Sequence, residues 1–147
     1  MNNFVEHIKN YCLENNLSLK QLAKLVKIQD SLLYKYVKGM SIPTINNLVK
    51  LSNFFGCSLN YLVGLDENPK LEKLCKSYKK KEFFNRYVNL LKKNNTSHYN
   101  VSKELNFAMS SFGTWKKGSI PYLDTLIKIA QHFGVSIDYL IGRTDEL

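Results

Sequence analysis

The sequence predicts an all-α protein of two tandem five-helix units, residues 1–67 and 83–147, joined by a basic, helical linker over residues 68–82. Two observations carry this expectation. Apolar residues recur at the i, i+3, i+4, i+7 spacing of one buried helix face, in short runs broken by Asn, Gly and Pro. The pattern is also written twice. Leu17–Gly39, LSLKQLAKLVKIQDSLLYKYVKG, aligns without a gap on Thr96–Gly118, TSHYNVSKELNFAMSSFGTWKKG, at an offset of 79.

In order, Asn3 to Asn15 places Phe4, Val5, Ile8, Tyr11 and Cys12 on one face, and Asn15-Asn16 ends that helix. Ser18 caps the next, and Gln21 three residues on completes a capping-box pattern. Its inward positions are Leu22, Ala23 and Val26. A two-residue break at Lys27-Ile28 leads to a helix that turns Leu33 and Tyr36 into the core and stops at Gly39. Two helices, a tight turn and a stopping Gly are the layout of a helix-turn-helix, whose second helix can lie in a DNA major groove. Ser41-Ile42-Pro43 connects to a fourth helix, capped by Thr44, with Ile45, Leu48, Val49, Leu51, Ser52 and Phe55 inward and Gly56 at its end. Ser58 caps a short fifth helix that Gly64 closes.

From Phe83 the pattern restarts: Phe83, Tyr87, Leu90 and Leu91 stand where Phe4, Ile8, Tyr11 and Cys12 stood. Beyond Gly118 one residue is missing and the offset becomes 78. Leu48, Lys50, Phe55, Gly56, Ser58, Tyr61, Leu62 and Gly64 then recur as Leu126, Lys128, Phe133, Gly134, Ser136, Tyr139, Leu140 and Gly142. A unit of about 65 residues is small but can fold on a single core. Between the units Asn68-Pro69 breaks the chain. Leu71, Leu74, Cys75 and Tyr78 have helical spacing, so the connector reads as a helix running toward the second unit; a flexible basic tether is the alternative.

The net charge of +9 is spread evenly. Seven Lys face four acids through Asp66, six face three over residues 67–82, and eight basic residues face five acids afterwards. A basic surface favours polyanions such as nucleic acid, although abundant Lys and Asn also follow from AT-rich coding. No apolar run approaches the ~20 residues of a membrane helix, and the N-terminal residues show no signal-peptide pattern. Three widely spaced Cys point to reduced thiols in a cytoplasm. His7, His98 and His132 share no metal-ligand spacing, and the Gly residues sit at helix stops and form no phosphate loop. The expectation is therefore a cytoplasmic, nucleoid-associated protein that is not an enzyme and holds no cofactor or metal.

The residues Ser18, Leu22, Ala23, Val26, Tyr36 and Gly39, met again as Ser97, Val101, Ser102, Leu105, Trp115 and Gly118, resemble the phage repressor/Cro-like (lambda-repressor-like, XRE-type) helix-turn-helix family. The tails FFGCSLNYLVG and FGVSIDYLIGRTD resemble the last two helices of that family. The resemblance implies a sequence-specific transcriptional regulator, a repressor, that binds double-stranded DNA. It places Gln29, Asp30, Ser31, Tyr34 and Lys35 toward bases in the first copy, and Ala108, Met109, Ser110, Gly113 and Thr114 in the second. Lys38 and Lys117 suit phosphate contacts, as do the helix N-termini at Thr44 and Tyr122. The family's phosphate-contacting Gln is replaced by Leu19 and His98, its turn Gly by Lys27 and Asn106, and its recognition-helix cap by Gln29 and Ala108.

Neither recognition segment contains Arg, so Arg–guanine pairing is absent and an AT-leaning operator is expected. Two unlike readers in one chain imply an asymmetric site, whereas a palindrome implies a homodimer. A rival reading makes the protein an antitoxin or anti-repressor, with Leu19, Leu32 and Tyr34 forming a patch for a protein partner and only the second unit binding DNA.

Overall fold

A computed structural model describes residues 2–69 and 74–147, and ten α-helices lie among them. The chain divides into two compact units, Met1–Glu72 and Lys73–Leu147. Unit 1 runs α1 (Asn2–Glu14), α2 (Leu19–Val26), α3 (Asp30–Val37), α4 (Ile45–Phe55) and α5 (Leu59–Leu62). Unit 2 runs α6 (Lys80–Lys93), α7 (His98–Leu105), α8 (Ser111–Lys116), α9 (Leu123–Phe133) and α10 (Ile137–Leu140).

Local chemistry sets most of these boundaries. Ser18 Oγ accepts from the Gln21 N–H at 3.1 Å while Gln21 Oε1 accepts from the Ser18 N–H at 2.8 Å, so the capping box is closed. Ser97, Thr44, Ser58 and Ser136 cap α7, α4, α5 and α10 with the first of these bonds alone, each hydroxyl accepting from the N–H three residues on. Each such cap contributes about 1 kcal/mol to its helix. The left-handed residues also repeat: Asn16 (φ 52°) and Asn95 (φ 49°) follow the first helix of each unit, and Lys27 (φ 59°) and Asn106 (φ 58°) form the turn after the second. Asn tolerates this backbone better than Lys. At Lys27 the carbonyl is braced by Lys50 Nζ at 3.0 Å, and Lys128 Nζ reaches the Leu105 carbonyl at 3.2 Å in the second unit.

The cores differ in character. In unit 1, Phe4 and Ile8 of α1 are buried with Leu22, Leu33, Leu48, Leu51, Leu59 and Leu62. Tyr36 stands edge-on to Phe4 and accepts a 2.8 Å hydrogen bond from Asn47 Nδ2. In unit 2, Trp115 replaces Tyr36 and lies 5.3 Å from each of the Phe83, Tyr87 and Phe107 rings. The C-terminal helices are likewise held differently. His7 packs on Tyr61 at 4.9 Å, whereas its counterpart Arg86 covers Tyr139 at 4.6 Å and donates to the carbonyls of Tyr139 and Thr144 and to the Glu82 and Asp145 carboxylates. Gly64 (φ 85°) and Gly142 (φ 79°) close the units where a side chain would strike the first helix region: a Cβ would lie 2.8 Å from Asn3 and 3.0 Å from Glu82.

Of the helical linker expected over residues 68–82, residues 70–73 lie outside the described residues, and the stretch before α6 is not helical. Residues 74–79 are non-helical, and α6 starts only at Lys80. Their backbone finds partners in the C-terminal tail: the Cys75 N–H donates to the Arg143 carbonyl at 2.9 Å and the Lys79 N–H to that of Ile141 at 2.8 Å. Arg143 Nε returns a bond to the Cys75 carbonyl at 2.9 Å. The helical spacing of Leu74, Cys75 and Tyr78 is overridden by this pairing, and Leu71 lies outside the described residues.

Arg143 also meets Asp138 at 2.6 Å, with both side chains buried; unit 1 has Leu65 and Asn60 there. Asp138→Ala therefore removes a buried carboxylate bonded to a buried guanidinium and should cost about 3–5 kcal/mol in denaturant unfolding of the full chain. A loss below about 1 kcal/mol, the range of an exposed pair, would show that the pair is not structural.

Candidate nucleic-acid interface

In unit 1, α2 and α3 pack through Leu22, Ala23, Leu33 and Tyr36, which leaves the opposite face of α3 to solvent. Gln29, Asp30, Ser31, Tyr34, Lys35 and Lys38 are all exposed on it. Gln29 is the N-cap, but its side chain makes no cap bond, so its amide points to no partner within the helix. Asp30 Oδ1 accepts from the Ser31 N–H at 2.9 Å, which keeps the carboxylate at the positive end of α3. Lys38 Nζ lies 5.6 Å from the centre of the Tyr34 ring. A shallow groove of about 420 Å³ runs beside α3 between Leu19, Lys20, Tyr34, Lys35 and Met40. Leu32, expected on the surface, is half-buried.

A second shallow groove, of about 460 Å³, flanks the start of α3 and is lined by Lys20, Lys24 and Lys27 together with Gln29 and Asp30. Lys20 and Lys24 extend the charged face beyond the residues singled out from sequence. Their i, i+4 spacing on the outer side of α2 is the signal that marks them.

Unit 2 presents its face differently. Ala108, Met109, Ser110, Gly113, Thr114 and Lys117 are exposed, but α8 begins only at Ser111. Residues 108–110 form a turn in which the Ser111 N–H and hydroxyl both donate to the Ala108 carbonyl, at 3.1 and 2.6 Å. The helix therefore starts two residues later than α3 does in the repeat. Gly113 inside so short a helix weakens it by a further ~1 kcal/mol relative to Ala. Tyr99, beneath Lys103 Nζ at 5.7 Å, occupies the place of Lys20.

His98 departs furthest from expectation. It stands where the family carries a phosphate-contacting Gln, yet only 6% of it is exposed. Its Nδ1 lies 2.8 Å from the Tyr87 hydroxyl and its Nε2 3.0 Å from the Met109 carbonyl. A carbonyl can only accept, so Nε2 carries the proton and Nδ1 accepts from the phenol. Burial holds His98 below its ordinary pKa, with the Met109 carbonyl only partly offsetting this, and burial pushes Tyr87 well above the usual phenol range. The imidazole is therefore neutral at pH 7 and is part of the core, not a phosphate contact.

The two fourth-helix N-termini also differ. Thr44 caps α4 through the Asn47 N–H at 3.2 Å, and the first turn of α4 carries no acid. Tyr122 is 87% exposed and gives α9 no cap bond, while Asp124 in the first turn opposes an approaching phosphate. The start of α4 thus carries no acid in its first turn, whereas that of α9 does.

Residues 8–62 match the helix-turn-helix family model, and residues 82–147 match the model of the bacteriophage CI repressor helix-turn-helix domain. The chain carries two tandem helix-turn-helix domains of the phage repressor type. It is a DNA-binding transcriptional regulator of phage or bacterial type, and the matched families are regulators, not enzymes. No curated protein and no solved structure is significantly similar to the chain. Among the described residues of the two repressor-type domains, no cluster of three or more His, Cys, Asp or Glu is placed to hold a metal ion, and no helix is long and apolar enough to cross a membrane.

The burial of His98 fixes a pH dependence. The unfolded chain takes up this proton near pH 6.5 and the folded chain only at lower pH, so the stabilisation is complete above about 6.5 and is lost as pH falls below it. The stability difference between the wild type and His98→Gln should stay constant from pH 8 to 7. It should then shift against the wild type toward pH 5, by at most ~1.4 kcal/mol per pH unit. A difference that stays flat to pH 5 in chemical denaturation would contradict the buried neutral imidazole.

Proposed function

We propose that the chain is a repressor whose two domains place unlike recognition surfaces in successive major grooves, ~34–36 Å apart, of one asymmetric, AT-leaning operator. The observation that supports this most directly is the split in each recognition segment. Leu33, Tyr36 and Trp115 are buried, while the candidate base-facing residues beside them are exposed.

In the first domain, Gln29 pairs with adenine through its free amide, the second oxygen of Asp30 accepts from a cytosine amino group, and Lys35 reaches guanine or a phosphate. Ser31 and Tyr34 line the same face. In the second domain, Met109 meets a thymine methyl, Ser110 and Thr114 offer short hydroxyls, and Ala108 and Gly113 let the backbone approach closely. Lys38, Lys117 and the N–H groups at Thr44 hold phosphates, and these contacts set register, not sequence. The regulator acts on DNA in the cytoplasm, at the nucleoid, and repression follows from occupancy of the operator.

One feature favours a second reading. The groove between Leu19, Tyr34 and Met40 is apolar, and Met40, 69% exposed, has no counterpart after Gly118. In that reading the first domain docks a protein partner or a second copy, and only the second domain contacts DNA.

Charge reversal separates the two. If both domains bind, Lys38→Glu and Lys117→Glu should each weaken duplex binding about tenfold and lower the slope of log affinity against log salt by about 1. Their effects should add in the double variant. If Lys38→Glu leaves affinity and slope unchanged while Lys117→Glu lowers both, the first domain is not a DNA reader.

A further inference from the structure

We propose that His98 is a positioning residue for base readout by unit 2, holding the recognition turn in place through a hydrogen-bonded relay that runs from Tyr87 on α6 through the imidazole to the Met109 carbonyl. The inference rests on the reading that unit 2 contacts DNA.

In unit 1 the recognition helix starts at Asp30, so helical hydrogen bonds hold its leading residues. In unit 2 the equivalent residues, Met109 and Ser110, precede α8 and are held only by turn bonds, from the Ser111 N–H and hydroxyl to the Ala108 carbonyl and from the Phe112 N–H to the Met109 carbonyl at 3.5 Å. Two side chains add to these: the Ser102 hydroxyl donates to the Met109 sulfur at 3.6 Å, and His98 bonds the Met109 carbonyl. The Tyr87 hydroxyl donates to Nδ1, which puts the proton on Nε2 and aims it at the Met109 carbonyl 3.0 Å away. The ring is wedged against Phe112 at 4.9 Å and Phe107 at 5.6 Å, so it cannot swing without moving the turn. The corresponding residues in unit 1 are Ile8, Leu19 and Asp30, and Ile8 and Leu19 cannot form a polar relay. The relay is found in the unit whose turn is not helical.

A protonated His98 would break the arrangement. Nδ1 would become a donor, the Tyr87 hydroxyl would have to turn round, and the charge would sit among Phe107, Phe112 and Trp115. Tyr87 is the titratable group that faces it from α6, and the contacts from the turn and α8 are uncharged rings and a carbonyl. Readout by unit 2 should therefore weaken in acid.

The test measures binding of the full chain to its selected operator and to the same duplex with the unit 2 half scrambled. His98→Phe keeps a ring and removes both hydrogen bonds. It should lower the discrimination ratio about tenfold, the scale of one lost base-pair preference, with binding to random duplex unchanged. His98→Gln can donate from Nε2 to Met109 while its Oε1 accepts from Tyr87, and should restore most of the ratio. Wild-type discrimination should also fall in acid, at a pH below the ordinary imidazole range, and that of His98→Gln should not. A folded His98→Phe that discriminates like the wild type overturns the proposal. If His98→Phe fails to fold, Tyr87→Phe decides: a several-fold loss of discrimination supports the relay, and an unchanged, pH-independent ratio overturns it. A wild-type chain that ignores the scrambled half overturns the reading of unit 2 as a DNA reader, and the proposal with it.

Discussion

A helix of six or eight residues has no independent stability in water, where about 12–15 residues are needed even for favourable sequences. The recognition segments of this protein, α3 and α8, are of that length, and each must offer one face to a ligand. Their shape is therefore borrowed from the core behind them. Everything that orients them, from the left-handed residue before each segment to the aromatic residue near its end, acts by fixing the buried side so that the exposed side is presented at one angle.

The two units meet this constraint with different chemistry on one backbone plan. Unit 1 sets Phe4 and Tyr36 among aliphatic side chains and has a full two-turn α3 and a hydrogen bond between Tyr36 and Asn47. Unit 2 surrounds Trp115 with Phe83, Tyr87, Phe107 and His98; Arg86 ties α6 to the Tyr139 carbonyl of α10, and the Arg143–Asp138 pair ties α10 to the residues after it. Rings and ion pairs thus occupy positions where unit 1 has Ile8, Leu19, Asn60 and Leu65. The exposed faces have diverged as well: Lys20, Lys35 and Asp30 on one side, Tyr99, Thr114 and Met109 on the other. A duplicated scaffold has come to carry two unlike surfaces.

What was legible from sequence is what local chemistry decides. The Ser and Thr caps, the Gly stops and the helix faces are written within a few residues, and the duplication confirms each reading independently. The conformation of residues 74–79 was not legible, because their partners, Ile141 and Arg143, lie more than sixty positions away. The burial of His98 was hidden for a related reason. Its aligned partner is the half-buried Leu19, and only the three-dimensional meeting of Tyr87 with the Met109 carbonyl makes the imidazole an internal group. The candidate base-facing residues, which the family resemblance implied, lie on exposed surface, but the later start of α8 could not be read from a segment whose small residues favour no structure strongly.

Two different readers of DNA on one chain are what the proposed function requires. The most direct measurement is selection from a pool of random duplex DNA, with the stoichiometry of the recovered complex determined alongside. The expected result is an asymmetric motif with about one helical turn between half-sites, bound by a single chain, with affinity falling as salt rises. A perfect palindrome bound by two chains would contradict it.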